Sequence, residues 1–356
     1  MVQLSGALEY THYAGSKDYG ETGKPEMLTM RAEVGLLTRS VKIRGDDSTT
    51  STKYGGHIML KGDNVIGRIS HVELKNMGQA YQLQRHPVTF TESEHLGESY
   101  VSHSAIWDGY NRAIAIHASN CLKIEGNVAY NVMGHNYFLQ DGIETKNSFI
   151  RNLAISTVPS HSLLNTDQTP ASFWITNPNN YFEGNHAAGS DMYGFWFNLP
   201  KNPTGSSETE DICPEGVKLG KFEKNVAHTN GRYGLRVFPK HIPRTYPCVD
   251  AMVEPAQGST NPESDAYDKN PAIPAEYKNF LGFKNKRSAI ITEEIGALQF
   301  KGIQTADNLE EGIEISLPGY AKLGQGFVDG ALIVGFTENN GEDMSEYKET
   351  KGITTG

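Results

Sequence analysis

A six-residue phrase centred on asparagine recurs through the middle of the chain. It reads Ile124-Glu125-Gly126-Asn127-Val128-Ala129, then Phe149-Ile150-Arg151-Asn152-Leu153-Ala154, then Phe182-Glu183-Gly184-Asn185-His186-Ala187, then Phe222-Glu223-Lys224-Asn225-Val226-Ala227. A large apolar residue stands three before the asparagine each time. Ten residues after it comes an alternating segment: Tyr137 and Leu139, Phe195 and Phe197, Leu235 and Val237. The offset carries into weaker copies, in which His103 leads to Ala113 and Ala115, Asn279 to Ala289 and Ile291, and Ile303 to Ile313 and Ile315. These anchors fall 24 residues apart from 103 to 127, 25 from 127 to 152 and 24 from 279 to 303. Longer steps of 33, 40 and 54 separate 152, 185, 225 and 279.

A period of about 24 residues, with short strands of period two and polar turns, specifies a solenoid. One repeat holds too little apolar surface to fold alone, so each stacks on the next. Leucine-rich repeats would need a leucine spacing and a helical segment that are missing. The expected fold is all-β: a right-handed parallel β-helix of the pectin-lyase-like kind, with loop insertions. Residues ten and twelve after the anchor should point inward, and eleven and thirteen outward. The recurrent asparagine should stack at a turn and bond neighbouring backbone. Residues 1–45 are expected to be the N-terminal cap and first coil, and 46–356 the helix. Insertions are expected near 155–170, 200–218 and 239–276, the last dense in proline.

Composition narrows the function. With 32 basic and 42 acidic residues the net charge is −10, which opposes general nucleic-acid binding. No apolar run is long enough to span a membrane. No secretory leader follows Met1, so the residues alone allow an intracellular chain or a piece of a longer protein. Three cysteines form no disulfide-dense scaffold; Cys213 and Cys248 share proline-rich, loop-like surroundings that permit a bridge, and Cys121 reads as a buried thiol. Phosphate-loop, serine-hydrolase elbow and zinc-protease motifs are missing.

Candidate chemistry gathers on one side. His117 and Asp141 both lie 14 residues after their anchors, 103 and 127, so stacked coils place them about 5 Å apart. Asp141 and Glu144 are paired carboxylates, suited to Ca²⁺ or to acid–base work on a glycosidic bond; the alternative is a His–Asp bond that joins two turns. Thr91, Asn177 and Asn198 extend a polar stripe that suits a linear polysaccharide, or plain sheet-face polarity. Trp196 and Arg236 both sit at the outward offset of eleven, where an indole stacks on sugar and a guanidinium holds a carboxylate. Trp174 lies on a strand as sugar platform or core. Arg85, Arg112 and Arg232 are further carboxylate ligands, or charged rim, and Lys240, His241 and Arg244 form a basic cluster with Arg236. His57, after two glycines, is a site residue or a packed turn.

Several ordered phrases together resemble one family: Arg31-Ala32-Glu33-Val34-Gly35-Leu36-Leu37-Thr38-Arg39, Gly55-Gly56-His57-Ile58-Met59, Asn127-Val128-Ala129-Tyr130-Asn131 with Gly134-His135, Asp141-Gly142-Ile143-Glu144, and Phe173-Trp174-Ile175-Thr176-Asn177. From about Leu8 to Glu338 the chain is similar to the β-helix region of the cell-migration-inducing and hyaluronan-binding proteins and their membrane-anchored hyaluronidase relative, and more distantly to the fibrocystin-like proteins. The resemblance implies an extracellular or cell-surface setting as part of a larger protein that carries a G8 domain. It implies hyaluronan as partner, bound or depolymerised, with calcium sometimes involved. One departure stands out. The family's His-Phe-His element reads Thr89-Phe90-Thr91 here, and threonine is no general acid or base near neutral pH. His86 is expected to point the other way on its strand and not to substitute. That departure supports the alternative: a non-catalytic structural or adhesion module with protein partners in a larger assembly.

Overall fold

The computed structural model describes residues 6, 12–160, 165–249, 270–316, 326–340 and 351–355. Three parallel sheets run the length of a right-handed β-helix, one strand per sheet per coil. The first sheet stacks ten strands, from Ile58–Lys61 through Val88–Ser93, Ile114–Ser119, Tyr137–Leu139, Ala171–Ile175, Tyr193–Asn198 and Leu235–His241 to Lys351–Thr355. The second has nine strands and the third ten.

The core is a set of side-chain columns parallel to the axis. Val88, Ile114, Tyr137, Phe173, Phe195, Leu235, Ile290 and Ile313 stack in register on the first sheet. Val101, Ile124, Phe149, Phe182, Phe222, Tyr277 and Phe300 stack on the second. All of these are buried. Facing them on the third sheet, Ala129, Ala154, Ala187 and Ala227 align. Small residues there make room for the aromatic columns opposite, which is how a narrow coil reaches interior packing density.

Register corrects two anchors. Asn127 lies opposite Ser104, not His103, because Val128 pairs with Ala105. Leu281 pairs with Val226, so Phe280, not Asn279, lies opposite Asn225. The inward residues are therefore Ile114 and Ile116, and Ile290 and Thr292, while Ala115 and Ile291 face outward. Sequence similarity slipped by one because the degenerate copies lack the asparagine that fixes the phase.

The asparagines form the expected turn ladder. Backbone N–H and Nδ2 of Asn127 both donate to Oδ1 of Asn152, at 3.1 and 3.0 Å. Asn152 donates likewise to Asn185, and Asn185 to Asn225. Each Nδ2 also reaches a carbonyl one coil back, such as Asn152 to Ile124 at 2.9 Å. A second ladder joins Asn230, Asn285 and Asn308.

Residues 12–40 do not close the end of the solenoid. They lie lengthwise on the outer face of the third sheet, and the first strand of that sheet is Val41–Arg44. Leu28 and Met30 pack on Phe283 and Ala306. Glu33 accepts from Nδ1 of His186 and Nε2 of His228, each at 2.6 Å. A Cβ on Gly35 would come within 2.8 Å of a Val128 methyl, so only glycine lets this strap approach the sheet there. Cys213 and Cys248 are bridged, joining the loop after Leu199 to the loop after His241. Residues 161–164 and 250–269, in two of the expected insertions, lie outside the described residues. Cys121 is free and only half buried, in a turn rather than a strand.

Candidate functional site

The outer face of the first sheet carries the candidate residues, and loops roof much of it. At one edge, His117 Nε2 donates to Asp141 Oδ2 at 2.8 Å and lies 3.0 Å from Ser206 Oγ; its Nδ1 meets Thr91 Oγ1 at 2.9 Å. The expected His117–Asp141 contact is present, although the register behind it differs: Ile116 pairs with Leu139, so His117 stands opposite Gln140 and Asp141 one place beyond. The Asp141 hydrogen bond raises the His117 pKa, against desolvation, which lowers it.

Glu144 supports this corner from beneath. Its carboxylate accepts from the backbone N–H groups of Ala118 at 2.9 Å, Asp141 at 3.2 Å and Gly142 at 2.8 Å. Burial raises its pKa, opposed by those same backbone donors. His117, Asp141 and Glu144 thus form one cluster, with exposures of 1%, 4% and 0%. Gly205, at φ +68°, packs against the Asp141 carboxylate, and Thr204 N–H donates to the Asp141 carbonyl at 3.1 Å. This turn of the 200–218 loop closes the cluster to solvent.

The geometry limits its chemistry. In a Ser–His–Asp relay the acid orients one imidazole nitrogen and the serine meets the other. Here Asp141 and Ser206 share Nε2 while Thr91 takes Nδ1, so Ser206 is not activated as a nucleophile. Both Glu144 oxygens are filled by backbone donors, and among the described residues no group of three or more His, Cys, Asp or Glu side chains is placed to hold a metal. Calcium wants six to eight oxygens, and Asp141 with Glu144 does not fit such a site.

A row of outward side chains runs along the axis beside this corner. Phe138 pairs with Trp174, Trp174 with Trp196, and Trp196 with Arg236. The outward offset expected for Trp196 and Arg236 is the observed one. The indoles are nonetheless nearly covered, at 5% and 6% exposure, packed with Tyr193 and Phe238. The Arg236 guanidinium carbon lies 4.6 Å from the Trp196 ring and 5.2 Å from Tyr193. Arg232 and Arg236 each donate to Tyr193 Oη at 3.2 Å. Asn198 is half buried and opposite Phe238.

Other expected ligands sit elsewhere. Asn177 is buried in a turn, donating to the Gly142 carbonyl at 2.7 Å and accepting from Asn179 N–H at 3.0 Å. Arg85 is exposed near the first coil, where its Nη1 donates to His57 Nε2 at 2.7 Å; desolvation, then Arg85, lowers the His57 pKa. Arg112 is buried in a two-pronged pair with Asp167 at 3.1 and 2.9 Å, so it is not an open glycan ligand. The basic cluster disperses: Lys240 pairs with Glu294, buried His241 meets the Val217 carbonyl, and buried Arg244 reaches the Asn270 carbonyl. His86 is not on a strand. Its ring lies beside Phe138, on the outer side, and burial followed by Arg112 lowers its pKa to about 3. Ser206 and Asp167 escaped the sequence reading because each enters from a segment that breaks the repeat; Tyr193 lies on a repeat strand opposite Ala171, where alternation with Phe195 and Phe197 would turn it inward, yet it packs with Trp174 and Trp196.

The CEMIP β-helix family model matches residues 53–235, just over half of the chain. Fibrocystin-L of Mus musculus is 33% identical across 96% of this chain, which covers 8% of that protein. The cell surface hyaluronidase CEMIP2 of Homo sapiens is 33% identical across 72% of this chain, covering 22% of its own length, and the cell surface hyaluronidase of Danio rerio is 29% identical across 80%, covering 23%. The chain thus spans less than a tenth of the fibrocystin-L relative and less than a quarter of these hyaluronidases. Among the described residues no helix is long and apolar enough to cross a membrane. By this match and its fold, the chain belongs to the CEMIP β-helix family.

Proposed function

We propose that this domain binds a hyaluronan-like polysaccharide along the outer face of its first sheet, at the surface of a cell or outside it, and does not cleave it. The observation that carries the reading is the axial row ending in Trp196 and Arg236. Its side chains repeat once per coil, at about 4.8 Å; with the indoles nearly covered, the groups open to a linear polymer along the axis are exposed Arg232 and half-buried Tyr233, Arg236 and Phe238. The two relatives named as cell surface hyaluronidases point to the same class of glycan. Against cleavage stand the closed His117–Asp141–Glu144 cluster and Thr89 with Thr91, which are both buried at the position of the family's histidines. Binding without turnover also meets the structural or adhesive role expected of a module in a larger assembly.

The test is size analysis of hyaluronan after incubation with the domain, beside a direct binding titration. A Thr89→His/Thr91→His variant runs in parallel. Binding with unchanged polymer length supports the reading. Shortening by the native chain refutes it, and failure to bind removes the glycan role. Shortening by the variant alone would mean that the histidine pair is all the native site lacks.

A further inference from the structure

The strap across the third sheet leaves its own backbone unpaired. From Glu33 to Thr38 no backbone N–H has a hydrogen-bond partner among the described residues. Bonding stops at Ala32, which donates to the Tyr13 carbonyl, and resumes at Arg39, which donates to Glu73. Side chains hold the segment instead, Glu33 on His186 and His228 and Arg39 Nε on the His103 carbonyl at 2.8 Å. It is fully extended. Four coil steps separate His186 from Glu73, roughly 19 Å at ~4.8 Å per step. The six residues from Glu33 to Arg39 reach about 20–22 Å at full stretch. Exposure alternates along it: Val34 and Leu36 stand 91% and 66% exposed, while Glu33, Gly35 and Leu37 are half-buried against the sheet.

Beside the strap runs an apolar row. The strap follows the outward column that holds Val128 and Leu153, where Gly35 makes its close approach. The next outward column is Arg44, Lys75, Trp107, Tyr130, Ile155 and Ala188. Its Trp107, Tyr130 and Ile155 are only half-buried. A cleft of about 390 Å³ opens on the side away from the strap, lined by Asp108, Asn131, Met133 and Val158 among others. At the foot of the row Arg44 is exposed, and Lys75 Nζ lies 3.9 Å from the Trp107 ring centroid.

We propose that the strap and this row form a docking groove for an extended peptide of a partner protein, which adds to the strap as a β-strand. A free, extended backbone edge selects a strand as its occupant, because only a strand meets the unpaired N–H groups in register. A strand paired about 4.8 Å from the strap lies over the neighbouring column. Alternate apolar side chains of the peptide then rest on Trp107, Tyr130 and Ile155, and the others flank Val34 and Leu36. Carboxylates at the end beside Arg44 and Lys75 complete the match. The groove lies on a different sheet from the glycan face, so the two readings stand or fall separately.

The experiment is hydrogen exchange of the whole chain, alone and with a synthetic peptide of about nine residues, in which valine alternates with threonine after two leading glutamates. Exchange at residues 33–38 is expected to slow about tenfold with the peptide. The same peptide N-methylated throughout cannot pair and is expected to give no protection. Arg44→Glu should weaken binding about tenfold, and a peptide led by two lysines should bind that variant better than the native chain. Absence of binding, or equal protection by the methylated peptide, overturns the proposal. Exchange at 33–38 as slow as in the sheets before any peptide is added also overturns it. In a monomer that result means the chain covers its own strap, and in a dimer, read by light scattering, that a second copy does.

Discussion

The asparagine ladder shows what one side chain can hold. Asn152 Oδ1 takes two donors from Asn127, while Asn152 Nδ2 serves Ile124 and Asn185. Asn152→Ala strands several buried groups at once, at roughly 1–3 kcal/mol for each left unpaired. Urea unfolding should show a loss of about 3 kcal/mol or more. His117 offers a pH signature at the same scale. Its folded pKa is raised above 6.5 by Asp141, so its stabilisation is complete below 6.5 and fades as pH rises through the folded value. The native domain should therefore lose stability as pH rises above 6.5 in a way that Asp141→Asn does not; parallel pH slopes in the two proteins would remove His117 as the cause.

At the scale of elements, the strap over the third sheet is held by a charge device. Burial favours protonation of Glu33, but hydrogen bonds from His186 and His228 outweigh it and bring its pKa down to about 2. With the folded value depressed from 4.5, the stabilisation is present above pH 4.5 and lost as pH falls toward 2. The shift corresponds to about 3 kcal/mol. Glu33→Gln should speed hydrogen exchange across residues 27–40 at neutral pH while leaving the sheets protected; unchanged strap exchange would show that Leu28 and Met30 alone hold it. The disulfide is the second tie. Cys213→Ser with Cys248→Ser opens a link between residues 35 apart in sequence, with an expected loss of about 3 kcal/mol, read as a lower melting temperature.

The elements also show which parts of the fold were legible. The inward columns could be read from Asn127, Asn185 and Asn225 because alternation and anchor agree there. Near His103 and Asn279 the anchor residue is replaced, and alternation alone cannot fix phase, since a slip of one exchanges the faces. The His117–Asp141 contact survived that slip because a side chain reaches across one position. Burial of the outer face was not legible. It comes from insertions, which bring in Ser206 and Asp167 at places no period encodes, and from Tyr193, which departs from the inward alternation of Phe195 and Phe197 on its own strand. The strap was invisible for the same reason, as Glu33 meets His186 and His228 from more than 150 residues away.

For the whole molecule, the account joins a rigid solenoid, one face of stacked aromatic and basic groups, and an acid–base cluster shut beneath a loop. On the proposed function, such a face would grip a polymer along its length and the shut cluster would leave it uncut. The net charge of −10 makes binding of a polyanion depend on the local Arg232–Arg236 pair, so added salt should weaken it. The most direct measurement is the length distribution of hyaluronan recovered from its complex with the purified chain. The account predicts that polymer is captured at low salt and recovered at its original length. Captured polymer that comes back shortened would contradict it.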